Sequence, residues 1–215
     1  MPGLFITLEG GEGCGKTTQR AALALALRQQ GHTVLETREP GGSPAAEALR
    51  HTLITNAACA SFDPLATGLV IAAGRRDHLA NVICPALAVG TIVLCDRYID
   101  STWAYQHFAE GLPADTVQNL IDLASSNAPV PHLTFLYDLP VAVARQRWQA
   151  RLGGHDRYEG YADEYHERVR QGFLNRASLE PKRIHVLNAD ESVETLTNKG
   201  LQIIEVLFNY SRLHN

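Results

Sequence analysis

Leu4-Phe5-Ile6-Thr7-Leu8-Glu9-Gly10-Gly11-Glu12-Gly13-Cys14-Gly15-Lys16-Thr17 is the stretch on which the fold turns. Leu4 to Leu8 is a short apolar run that ends in Glu9 and glycines, the pattern of a buried strand feeding a tight turn. From Gly10 the chain matches GxxxxGK[ST]. Glycines spaced in this way let the backbone curl so that successive N–H groups point inward at phosphate oxygens. Lys16 can reach the outer phosphates of a nucleotide, and the Thr17 hydroxyl suits Mg²⁺. The helix that opens near Lys16 adds the positive end of its dipole. The alternative is a chance glycine-rich turn, and the strand before it and the helix after it weigh against that.

Outward from this loop, apolar strands alternate with helices. Lys16 to Gln30 is rich in alanine and leucine, which favours helix, and Gly31 stops it. Thr33 to Thr37, Thr91 to Cys95, Leu133 to Tyr137 and Arg183 to Leu187 read as further strands. Ala45 to Ile54, Pro64 to Ala88 in one or two pieces, Ser101 to His107, Ala114 to Ser125, Val141 to Ala150, Ala162 to Leu179 and Ser192 to Phe208 read as helices. This alternation predicts an α/β fold of three layers, a five-stranded parallel sheet with helices on both faces. Ligands of such sheets bind beyond the strands' carboxyl ends, here just after Leu8, Thr37, Cys95 and Tyr137.

The chain has 215 residues, 45% apolar, which suits one compact domain over 1–215 with a small mobile insert at about 147–161. The net charge of −4 argues against a broad nucleic-acid surface, so positive charge for an anionic ligand has to be concentrated locally. Cys14, Cys59, Cys84 and Cys95 lack metal-site spacing and read as reduced, mostly buried thiols, in keeping with the cytoplasm. No apolar run approaches the ~20 residues of a membrane span. No repeat is visible, and the guanine-reading NKxD pattern is absent.

Two segments after strands carry further chemistry: Thr37-Arg38-Glu39-Pro40-Gly41-Gly42-Ser43, and Asp96-Arg97-Tyr98-Ile99-Asp100-Ser101 with Tyr105-Gln106. An aspartate at a strand end can hold Mg²⁺ through water, and an arginine beside it can grip a phosphate with two bonds. Asp96 and Arg97 could equally form a structural ion pair; their place on the phosphate side of the sheet favours the ligand role.

Taken together, Leu8 to Thr18, Thr37 to Ser43, Asp96 to Ser101 with Tyr105-Gln106, and Asp156-Arg157-Tyr158-Glu159 resemble bacterial thymidylate kinases in content, order and spacing over most of the chain. The resemblance implies a P-loop kinase that transfers the γ-phosphoryl of ATP to dTMP, with Mg²⁺, usually as a homodimer. It places ATP on Gly10, Gly11, Glu12, Gly13, Cys14, Gly15, Lys16, Thr17 and Thr18. Glu12 then approaches the dTMP sugar, Arg97 binds the acceptor phosphate, Arg50 helps it and Arg75 reads the thymine edge. Tyr105 lies against the deoxyribose, Gln106 near the base, and Arg38, Ile71 and Ser101 complete the acceptor side. Arg50 and Arg75 as solvent-exposed helix arginines, and Tyr105 as plain core, are the rival readings.

Arg145, Arg147, Arg151 and Arg157 cluster around Gly153-Gly154. They could be a solvated helix end, but a cation delivered to the transferring phosphoryl by a closing segment is the stronger use. Position 14 is Cys rather than Arg, so the phosphate loop brings no arginine of its own, which matches the family members that carry the arginine in the lid. Arg151 and Arg157, then Arg147, are the expected closing cations, with Glu159 assisting either Mg²⁺, beside Thr17 and Asp96, or docking of the lid. The chain departs from the pattern at Ile71, where many relatives have phenylalanine, at Gly74, where an acid is common, and at His107 to Gly111, which lacks the usual arginine. Another small P-loop kinase, or a nucleotide-gated binding module without turnover, are the competing functions.

Overall fold

The computed structural model describes residues 3–149 and 161–213. Five strands, β1 (Phe5–Glu9), β2 (Val34–Arg38), β3 (Ile92–Asp96), β4 (Leu133–Asp138) and β5 (Ile184–Asn188), form one parallel sheet in the order β2-β3-β1-β4-β5. The expected α/β architecture is present. The strands run one or so residues later than expected, so Glu9 and Asp96 belong to the sheet rather than to the turns beyond it. Register brings Leu8 beside Asp96 and Arg38 beside Asp96, so the glycine loop and the segments after β2 and β3 leave the sheet together at its carboxyl end.

Local sequence sets most helix ends. The helices are α1 (Lys16–Gln29), α2 (Pro44–Thr55), α3 (Pro64–His78), α4 (Cys84–Ala88), α5 (Ile99–Thr102), α6 (Ala114–Ala124), α7 (Val141–Gln149), α8 (Asp163–Leu179) and α9 (Val193–Leu213). Ser43 and Asp63 cap α2 and α3 by accepting the Ala46 and Ala66 amides, and each is followed by proline at the first helical position. Between α3 and α4 the helix widens into a π turn over Leu79–Ile83. Pro85, just beyond, has no N–H to return to the Asn81 carbonyl, which accounts for the wider turn. The expected helix over Ser101 to His107 begins earlier, at Ile99, and continues from α5 as a second π segment, Trp103–Ala109.

The two faces of β1 divide the interior. Ile6 and Leu8 pack with Leu23 and Leu27 of α1 and Ile204 of α9. Phe5, on the other face, packs with Leu79, Ile83, Leu87, Val93 and Tyr98. The apolar stripe Leu79, Ile83, Leu87 therefore serves this core. Three of the four cysteines are buried and all are free thiols, as the spacing predicted. No helix among the described residues is long and apolar enough to cross a membrane.

Helix α8 lies directly on the π segment, with Tyr105, Tyr165, Val169 and Phe173 in one apolar cluster. Gly172 allows this approach: a Cβ there would stand 2.9 Å from both the Ala104 Cα and the Phe108 Cβ. Gly172→Ala should therefore destabilise the fold by roughly 1–3 kcal/mol, the cost of forcing a methyl into a packed core. A urea midpoint equal to that of the parent, with equal slope, would show that the two helices have slack that the structure does not.

Candidate active site

A cleft of about 470 Å³ opens where the carboxyl ends of β1, β2 and β3 meet. Its floor is the glycine loop and the first turn of α1, with Glu12, Gly13, Gly15, Lys16, Thr17 and Thr18 on its surface. Gly13 has φ 74°, and a Cβ there would press on the Ala144 carbonyl at 2.7 Å, so both the curl and the close approach of α7 require glycine. The Lys16 ammonium donates to the carbonyls of Gly10 at 3.0 Å and Gly11 at 2.7 Å. Cys14 turns inward, buried, with its sulfur 3.5 Å from Lys16 Nζ. The Thr17 hydroxyl donates to Asp96 Oδ2 at 3.0 Å. Hydroxyl and carboxylate are hard oxygen donors of the kind that Mg²⁺ prefers, so these two residues fit the cation directly or through water.

Arg97 reaches this floor from the turn after β3. Its guanidinium donates to Glu12 Oε1 at 2.6 Å, to the Gly10 carbonyl at 3.0 Å and to Ser101 Oγ at 3.3 Å, and lies over the Tyr105 ring at 5.0 Å. The Tyr105 hydroxyl donates to the same Glu12 oxygen at 2.7 Å. Burial raises the Glu12 carboxyl, but Arg97, Lys16 and the Tyr105 hydroxyl outweigh it and bring it down to about 2. Glu9 shows the opposite balance. Burial, with Asp100 adding, pushes it up to about 7 against the pull of Ser101 and Arg97.

The remaining wall comes from β2 and α3. Arg75 is 3% exposed and is held at its Nε by Glu39 at 2.7 Å, with further bonds to Thr102 and the Tyr98 carbonyl. Glu39 is in turn bonded by His78 at 3.2 Å, and His78 by Thr37 at 2.7 Å. Arg75 is thus a buried, oriented cation that still borders the cleft, not the solvent-exposed helix arginine of the rival reading. Arg50 borders the cleft as well and donates to the Pro40 carbonyl at 3.1 Å. Arg38 reaches it from an exposed, two-bonded pair with Glu47. Ile71, Ser101, Tyr105 and Gln106 complete the wall.

Most of the expected site residues therefore converge. Arg147 does not line the cleft: its guanidinium bonds the Ala189 carbonyl and Asp190, just after β5. Arg151, Arg157 and Glu159 lie outside the described residues. Sequence reasoning passed over Glu39 and its partner His78, which hold Arg75, and Leu53 and Ile54, which border the cleft three and four places after Arg50. That helical spacing was a usable signal. Glu9 was read as the start of the loop, and its isolation at the end of an apolar strand was the clue that it is a buried acid.

The family model described as thymidylate kinase matches residues 8–199. The chain belongs to the thymidylate kinase family. It is 46% identical over 195 residues to the thymidylate kinase of Caulobacter vibrioides, covering 91% of this chain and 92% of that one. With the thymidylate kinase of Geobacter sulfurreducens it shares 44% over 212 residues, covering 96% and 97%. The crystal structure of thymidylate kinase from Ehrlichia chaffeensis superimposes with a TM-score of 0.75 at 31% identity, covering 95% of this chain and 99% of that one.

The kinase's Glu12–Arg97 pair can be checked by titration. The folded carboxyl lies below its ordinary value of 4.5, so its contribution to stability is complete above that pH and is lost as pH falls toward about 2. Such a shift corresponds to on the order of 3 kcal/mol. A carboxylate-detected NMR titration should find Glu12 still ionised at pH 4, and Arg97→Ala should move its midpoint up toward 4.5. An unchanged midpoint in the variant would mean that the pair does not hold the charge.

Proposed function

We propose that this kinase binds ATP on the glycine loop and dTMP in the cleft beside it and transfers the γ-phosphoryl in line, giving ADP and dTDP. The observation that carries this reading is Arg97, set between the phosphate loop and the acceptor wall with its guanidinium over Gly10 and Glu12. The amides from Gly11 to Lys16 and the Lys16 ammonium hold the donor phosphates. Arg97, with Arg50 and Ser101, holds the acceptor phosphate. Glu12 and Tyr105 are placed for the sugar, and Arg75, Ile71 and Gln106 for the base. Thr17 and Asp96 would hold Mg²⁺, with Glu159 assisting, and the cation would neutralise charge on the donor phosphates. Because little covalent work falls to the protein, catalysis is positioning plus electrostatic stabilisation.

Residues about 147–161 form the lid of a single domain under this proposal. Arg151 and Arg157 supply the cations that meet charge developing on the transferring oxygens, followed by Arg147, which would first have to leave the Ala189 carbonyl and Asp190. The cytoplasm, where free nucleotides are found, is the place of action, and neither nucleic acid nor membrane is a partner. The assembly is a homodimer: Leu65 and Leu69 of α3 and Leu123 of α6 are exposed and give a twofold contact apolar surface. Light scattering should give twice the chain mass, and a monomer at micromolar concentration would remove that part of the proposal.

A coupled ADP-release assay over a panel of monophosphates tests the main claim. dTMP should be the preferred acceptor, and a clear preference for another acceptor, or ATP binding without acceptor-dependent turnover, would replace it. In the same assay Arg151→Ala and Arg157→Ala should lower kcat by up to about 10³-fold while changing the KM for dTMP less. Near-normal kcat in both would take the lid arginines out of the mechanism.

A further inference from the structure

Glu9 is a buried acid that the mechanism above does not use. It is the last residue of β1 and 0% exposed. Strand alternation turns it to the face opposite Leu8, where the short helix α5 begins. One carboxylate oxygen accepts the Tyr98 amide at 2.7 Å and the Ser101 amide at 3.3 Å; the other accepts the Ser101 hydroxyl at 2.6 Å. Tyr98, at the cap position of α5, makes no capping bond with its own side chain. Glu9 therefore caps this helix from a strand 89 residues away in sequence.

The consequence reaches Arg97. Its φ of 70° lies in the left-handed region that side chains with a Cβ rarely adopt, so neighbouring bonds have to hold it there. Two do. The Arg97 amide donates to the Leu8 carbonyl at 2.9 Å, and the next amide, that of Tyr98, donates to Glu9. The side chain is tied as well: because the Ser101 hydroxyl donates to Glu9, its lone pairs are turned to the Arg97 guanidinium, 3.3 Å away. Backbone and guanidinium of Arg97 are thus both referenced to β1, the strand that also launches the phosphate loop.

We infer that Glu9 is a positioning residue for phosphoryl transfer, fixing Arg97 relative to the glycine loop so that acceptor and donor phosphates meet at the right separation. The inference rests on the proposed role of Arg97 as the acceptor-phosphate ligand. Glu9→Leu removes every acceptor, whereas Glu9→Gln keeps an oxygen for the two amides. Misplacement by about 1 Å costs on the order of 10²-fold in rate. Glu9→Leu should therefore lower kcat/KM for dTMP by about that factor while ATP affinity stays within about threefold, and Glu9→Gln should recover most of the loss.

Should Glu9→Leu fail to fold, Glu9→Asp serves: it keeps the charge, draws the carboxylate back by one carbon, and should lose about tenfold on the same basis. Arg97→Ala separates the two ideas. In that background Glu9→Leu should add little, because both changes act through one group. Fully additive losses, a parallel loss of ATP affinity, or wild-type acceptor kinetics in folded Glu9→Leu and Glu9→Asp would overturn the role of Glu9 alone. Unchanged acceptor kinetics in Arg97→Ala would overturn the reading beneath it.

Discussion

The bond between Arg97 and Glu12 joins the two halves of the site. Glu12 sits in the phosphate loop, Arg97 in the turn after β3, and the sequence separates them by 85 residues. Closing such a distance costs chain entropy, and the sheet meets that cost by pairing β1 directly with β3, Leu8 beside Asp96. From there the turn at Arg97 has nowhere to go but over the loop. With that register the Arg97 amide reaches the Leu8 carbonyl and its guanidinium the Gly10 carbonyl.

An acidic chain that binds two anions has to solve a second problem. Its net charge of −4 repels nucleotides at long range, yet Lys16, Arg38, Arg50, Arg75 and Arg97 all reach one cleft. Three of these cations have a carboxylate of their own: Glu47 for Arg38, Glu39 for Arg75 and Glu12 for Arg97. Pairing lowers the cost of desolvating each cation and fixes its geometry. For Arg75 and Arg97 it also makes the acid partners part of the site, because removing Glu39 or Glu12 would leave a largely buried cation without compensation. Arg75 is the extreme case, with Glu39, His78 and Thr37 in a buried line behind it.

What the sequence revealed divides along the same physical line. The sheet and the phosphate loop were legible because each depends on local signals: apolar runs and glycine spacing. Residues such as Arg50, Arg75 and Tyr105 could be named through resemblance, since nothing local distinguishes a cleft arginine from a solvated one. The supports were not legible. Glu39 with Arg75 and Glu9 with Tyr98 meet across 36 and 89 residues, and only the fold brings them together. The π segments escaped as well, because a widened turn keeps the composition of the helix it interrupts. Pro85, just beyond the first of them, was the one local signal, and it went unused.

The second π segment explains the shape of the cleft wall that Tyr105 and Gln106 form. A π turn shifts the side chains beyond it relative to an α-helix. Here it brings Tyr105 to Glu12 while Ala104 lies against Gly172 of α8. The Tyr165 hydroxyl and the Arg168 guanidinium of α8 bond Glu110 and the Ala109 carbonyl at the end of the same segment. The acceptor wall and α8 are therefore one packed block. Since α8 begins immediately beyond the proposed lid, a displacement at the start of α8 would be carried to Tyr105 by core packing rather than by a flexible joint.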